Sequence, residues 1–158
     1  MSMIAIFKAV PPNTDYECLS IPDLPMEEDD DNIISLDKAW HGIHYLLCGD
    51  PWSGSNPPNL AVYGGIDFGD FEDEDEGFSR YLLPKDVITL SDYFKNFDRS
   101  VLRARYLPVE LDKKEIYPGY WERDAEDNWE FIKSNFDRMV AFYCKAAVRG
   151  FGVVKWIC

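Results

Sequence analysis

One stretch near the end of the chain limits the architecture more than any other. Between Asp124 and Gly150, the residues Trp129, Ile132, Phe136, Met139, Val140, Tyr143 and Ala147 recur at helical spacing and form a single apolar stripe. Asp124 stands where an N-cap belongs, Lys145 and Arg149 sit near the carbonyl end, and Gly150 supplies the stop. A long helix with one dry side needs a core to lie against, so the rest of the chain is read for what covers it.

Short elements precede that helix. Ser2 to Ala9 reads as a strand closed by Pro11 and Pro12, and Thr14 to Leu19 as a helical turn. Ser35 is placed to cap a helix running from Leu36 to Gly49, with Asp37 in its first turn. A turn-rich connection, DPWSGSNPPN, leads to a second strand at Leu60 to Tyr63 and a bend at Gly64-Gly65. Arg80 to Leu83 gives a third strand and Pro84 opens a helix carrying Val87, Leu90, Phe94 and Phe97 on one face. Asp98 caps a short helix through Arg105, Pro108 opens another through Lys114, and Val153 to Ile157 closes the chain as a strand. Strands scattered among helices without regular alternation indicate an α+β fold. The expectation is one compact domain over residues 1–158, a small mixed sheet of short strands packed by several helices, with a long C-terminal helix. At 158 residues, 46% apolar and 15% aromatic, the chain is long enough to bury such a core without staples.

Charge is placed unevenly. Between positions 9 and 79 the only basic residue is Lys38, against 17 acids, so this segment holds more than the whole net charge of −13. Glu27 to Asp31 is acidic throughout, and seven of the ten residues from Asp67 to Glu76 are acids. Runs of this kind read as solvated surface loops, near 21–32 and 66–78. An acidic field steers basic protein surfaces and repels nucleic acid, and no basic stripe is visible. The expected partner is therefore a basic protein surface, with no nucleic acid and no membrane. No apolar run approaches the roughly 18 residues of a membrane span, and the start lacks the basic flank of a signal peptide. Cys18, Cys48, Cys144 and Cys158 show no C-x-x-C spacing, so reduced thiols in the cytoplasm are the economical reading.

The order LDKAWHGIHYLLCG, NLAVYGG, RYLLPKDV, LRARY, EIYPGYW and a final long helix resembles the YfbM-like family of small bacterial proteins, collinearly over nearly the whole chain. Its most specific pieces are LDKAWHGIH (Leu36 to His44) and EIYP (Glu115 to Pro118). The resemblance implies an α+β cytosolic protein of a family without assigned function, and no catalytic residues carry over. The chain departs from the family pattern where Cys48 and Leu83 replace threonines. The first weakens Cys48 as a nucleophile and the second removes a helix cap.

On a helical wheel, Leu36, Ala39, Trp40, Ile43, Leu46 and Leu47 share a core face, while Asp37, His41, His44 and Cys48 line one flank. These four are the chain's concentrated acid–base groups. Asp37 would orient His41, and His44 would lower the pKa of Cys48. The same line is poor at metal binding, since Asp37 and Cys48 would lie about 16 Å apart along a helix axis, and H-x-x-H lacks the glutamate of a zinc peptidase. The Cys–His pair has no nameable oxyanion donor. A packing role, with His44 hydrogen-bonded at the core edge, outweighs both. Asp67-Phe68-Gly69 lacks the remaining kinase motifs, Asp73 to Gly77 misses the calcium-loop spacing, and Gly64-Gly65 is no dinucleotide fingerprint. Arg103, Arg105, Tyr106, Tyr117 and Trp121 could line an anion pocket, although ordinary packing explains them better. Asp37, Trp40, His41, His44, Arg80 and Tyr117 are the expected binding residues; Asp37, His41 and His44 are the catalytic candidates. No metal and no cofactor are expected. The leading expectation is a non-catalytic interaction or inhibitor/immunity-type module with an acidic surface; the alternative is an enzyme or small-ligand sensor with a pocket around His44.

Overall fold

The computed structural model describes residues 2–21, 24, 30–68 and 77–158. Strand β5 (Gly152–Ile157) is buried at every residue because it is the middle strand of a five-stranded sheet. On one side it pairs with β1 (Ala5–Val10) and on the other with β4 (Phe78–Leu82); β2 (Ile33–Asp37) and β3 (Ile66–Asp67) form the edges. The fold is α+β with a long C-terminal helix, but the sheet is not mixed: every pairing is antiparallel. The register gives the reason. Leu82 at the end of β4 lies opposite Val153 at the start of β5, so the helices between them return the chain to the end of the sheet that it left.

Phe7, Lys155 and Arg80 lie side by side across β1, β5 and β4, on the face that meets the helices. There α2 (Pro84–Lys95) and α5 (Ala125–Val148) cross through Phe94, which sets its ring edge against Phe136 at 5.7 Å. Helix α1 (Trp40–Cys48) fills the rest of that layer, and α3 (Ser100–Arg105) and α4 (Pro108–Lys113) brace it. Arg105 caps the end of α1 by donating to the carbonyls of Leu46 and Leu47 at 2.8 and 2.9 Å. The opposite face carries a smaller cluster of Val10, Tyr81, Val154 and Trp156, covered by Tyr16, Leu19, Ile21 and Leu24. Among the described residues, no helix is long and apolar enough to cross a membrane.

Three local expectations need correction. Leu36 and Asp37 end strand β2, and α1 starts only at Trp40. Ser35 does cap something: its hydroxyl accepts from the Asp37 N–H at 3.1 Å, which closes the strand's last turn instead of opening a helix. The apolar run Leu60 to Tyr63 is not a strand either. Pro58 to Ala61 form a 3₁₀ turn, because consecutive prolines fix φ near helical values and leave no N–H for a ladder. Asp124 precedes α5 but sits in the left-handed region (φ 56°) instead of the extended backbone of a capping residue, and no side-chain cap forms. Of the acidic loops, residues 25–29 and 69–76 lie outside the described residues, as does most of the calcium-like Asp73 to Gly77 run. Asp30 and Asp31 are described and pair with Lys8 (3.6 Å) and Lys145 (3.4 Å).

Candidate functional site

Beside the N-terminal half of α1 lies a cleft of about 650 Å³, lined by Met3, Trp40, His41, Trp52, Tyr63, Asp67, Phe68, Gly77, Phe78, Ser79, Arg80, Glu115 and Tyr117. Its floor is built first. Trp40 donates its indole N–H to the Met3 carbonyl (3.1 Å), Tyr117 stacks on Trp40 at 5.7 Å, and the Met3 N–H donates to the Tyr117 hydroxyl (2.9 Å). Tyr117 is held there by the loop after α4. The Asp112 carboxylate accepts from the N–H groups of Trp121 and Glu122, and the buried Trp121 indole donates to the Ile116 carbonyl at 2.7 Å.

His41 ties this floor to one wall. Its Nδ1 accepts the Tyr117 N–H at 2.8 Å and its Nε2 meets the Pro51 carbonyl at 2.9 Å. A carbonyl only accepts, so the proton sits on Nε2 and the ring is neutral. One turn on, His44 repeats the pattern, with Nε2 donating to the Ser53 carbonyl (3.2 Å). The two rings thus grip alternate carbonyls of the 50–55 loop, while Asp50 takes the N–H groups of Trp52 and Ser53 at 2.9 and 2.8 Å. Trp52, between the two gripped carbonyls, is 65% exposed and covers His41 at 4.5 Å. The second wall comes from β4 and the turn before β3: Tyr63 lies 5.0 Å from Phe78 and 6.1 Å from Trp52, and Arg80 places its guanidinium carbon 4.9 Å over the Phe78 ring. Arg80 Nη1 bonds Asp67 and the Ser79 carbonyl, both at 2.9 Å.

This geometry leaves the two imidazoles little acid–base chemistry. Burial pushes both imidazoles down from 6.5 to about 4, against a smaller upward pull from the carbonyls they hold. Protonating His41 would also set an N–H against the N–H of Tyr117. Because His44 Nε2 must carry the proton, its Nδ1 is an acceptor, and Cys48 at 3.8 Å gives its S–H to the ring. That is the reverse of an activated thiolate. Burial raises the Cys48 thiol to about 11, opposite to the lowering expected from His44.

Of the expected binding residues, Trp40, His41, Arg80 and Tyr117 meet in the cleft. His44 stands behind it, its ring edge-on to Tyr63 at 4.3 Å. Asp37 belongs to neither group: exposed at the end of β2, it does not precede His41 on a helix. Arg103, Arg105, Tyr106 and Trp121 do not assemble an anion pocket with Tyr117. Arg103 pairs with Glu126 at 2.7 Å and covers Trp129, Arg105 caps α1, and the Tyr106 hydroxyl donates to the Ala125 carbonyl. Sequence reasoning missed Met3, Trp52, Tyr63, Phe78 and Glu115; the one usable signal was a tryptophan set among turn residues, where burial would not explain it. It also missed Lys155, fully buried on β5, which donates to the carbonyls of Leu60 (2.6 Å) and Gly64 (2.7 Å). Burial drives its pKa well down, and nearby Arg80 adds to the effect. Among the described residues, no three His, Cys, Asp or Glu side chains gather as a metal site.

The molecule is thus an α+β protein with a central antiparallel sheet, one helical layer, and an aromatic cleft between helix α1 and the β3–β4 side of the sheet. The chain belongs to the family described as Domain of unknown function (DUF1877), whose sequence profile matches residues 1–156. It is 26% identical to Protein YfbM of Escherichia coli (strain K12) over 162 residues, 95% of each chain. The crystal structure of a protein of unknown function YfbM from Escherichia coli superposes with a TM-score of 0.71 at 20% identity, covering 98% of this chain and 99% of that one.

Proposed function

We propose that this protein is a non-catalytic recognition module that docks a basic protein surface, with the aromatic cleft at the centre of the contact. The observation that carries the reading is the state of the acid–base groups: both histidines are consumed as neutral clamps on backbone. What remains open to solvent is recognition surface, namely exposed Trp52 with Asp67 and Glu115 beside it. A net charge of −13 brings a basic partner in by steering and repels polyanions. An inhibitor or immunity-type role fits a module of this kind.

The test uses a short basic peptide of lysine, arginine and glycine titrated into the protein, with the change in tryptophan emission that is lost in Trp52→Phe as the readout. Binding is expected at low ionic strength, weakening at least tenfold between about 50 and 500 mM salt because exposed charge pairs are screened. Binding that ignores salt, or none at all, sinks the reading. A second reading, a small-ligand sensor, is favoured by one observation: the cleft is already formed at a volume typical of small-molecule pockets. It would show as binding of an uncharged aromatic compound, insensitive to salt.

A further inference from the structure

Resting on that reading, we propose that the partner is anchored by an arginine, whose guanidinium stacks on the exposed Trp52 at the mouth of the cleft and pairs with Asp67. The first reason is that the cleft already holds this arrangement internally. Arg80 lies over the Phe78 ring at 4.9 Å and bonds Asp67 Oδ1 at 2.9 Å. The walls therefore accept a planar cation on an aromatic face with a carboxylate at its edge. The second is spare capacity. The Asp67 side chain is 80% exposed, and among the described residues only its Oδ1 is engaged, so Oδ2 is open to a second donor. The third is charge: among the described residues the lining carries Asp67 and Glu115 against Arg80, with His41 neutral, so a cation is the occupant that this charge favours. A guanidinium is planar, weakly hydrated and stacks on rings, whereas an ammonium is a strongly hydrated point charge that loses more on entering an aromatic box.

The experiment compares two peptides of equal length and charge, one basic through arginine and one through lysine, with free L-arginine and a benzoate anion as further arms. The readout is calorimetry on the full chain, for the wild type and every variant alike. The arginine peptide is expected to bind about tenfold tighter than the lysine peptide, equivalent to one good stacked cation. Trp52→Ala and Asp67→Asn are each expected to erase that difference. Both side chains are largely exposed, so circular dichroism should show both variants folded. Equal, salt-sensitive binding of the two peptides overturns the arginine anchor while leaving the acidic docking face intact. Absence of binding by either peptide overturns both. Free arginine binding as tightly as the peptide overturns docking in favour of a small guanidino ligand, and preferential binding of benzoate overturns the cationic occupant altogether.

Discussion

His41 can join the Tyr117 N–H to the Pro51 carbonyl only as a neutral ring protonated at Nε2, and this state fixes a pH dependence. In the unfolded chain both histidines titrate near 6.5; in the folded protein they do so near 4. Below 6.5 the unfolded chain binds protons that the native state refuses, so the histidines' stabilisation is complete above pH 6.5 and is lost as pH falls towards 4. The slope approaches about 1.4 kcal/mol per pH unit for each ring. Urea midpoints measured from pH 7 to 4.5 should fall steadily, and a flat profile would contradict the clamp. Cysteine reactivity belongs to the same scale. Cys18 and Cys158 are exposed, whereas Cys48 gives its S–H to His44 and Cys144 packs beside Ser91. A thiol reagent at pH 8 should label the two exposed sites faster than the half-buried Cys48 and Cys144; fast labelling of Cys48 would revive it as a nucleophile.

Helix α1 is where sequence and structure part most instructively. Its core face was legible: Trp40, Ile43, Leu46 and Leu47 are all buried. Its start was not, because Leu36 faces the same core from β2 and so satisfies the helical period while being a strand residue. Ser35 and Asp37 then imitate a helix opening, although the residue actually preceding the helix, Ala39, carries no side-chain cap. At Leu60 to Tyr63 the apolar run outweighed the two prolines before it, when the prolines decide the local conformation. The cleft was half legible for a related reason. Trp40, His41, Arg80 and Tyr117 stand out by residue type, whereas Met3, Phe78 and Glu115 reach it from separate segments, the start of the chain, β4 and the loop after α4, that only the tertiary fold brings together. Gly42 shows how closely the elements meet. A Cβ there would lie 3.0 Å from Ile132 Cδ1 and 3.1 Å from Trp121 Cη2, both fully or nearly buried. Gly42→Val should therefore cost about 1–3 kcal/mol by overpacking, read as a lowered urea midpoint; an unchanged midpoint would mean that α1 and α5 can separate freely.

Across the whole molecule, stability hangs on one strand. Strand β5 pairs with β1 over six residues and with β4 over five, and without it β1–β2 and β4–β3 are unconnected two-stranded pieces. Isolated pairs of that size are marginal in water. Deleting residues 152–157 should abolish the cooperative thermal transition entirely, instead of lowering its midpoint; a calorimetric peak in the truncated chain would refute the view of one indivisible sheet. The same position has a consequence during synthesis. A ribosome delivering this polypeptide releases the aromatic cleft's components long before the piece that joins the two halves. Nascent chains must wait with their strand edges uncovered until residue 157 leaves the exit tunnel. Premature termination anywhere upstream would then leave the cell a degradation substrate in place of a partly assembled domain.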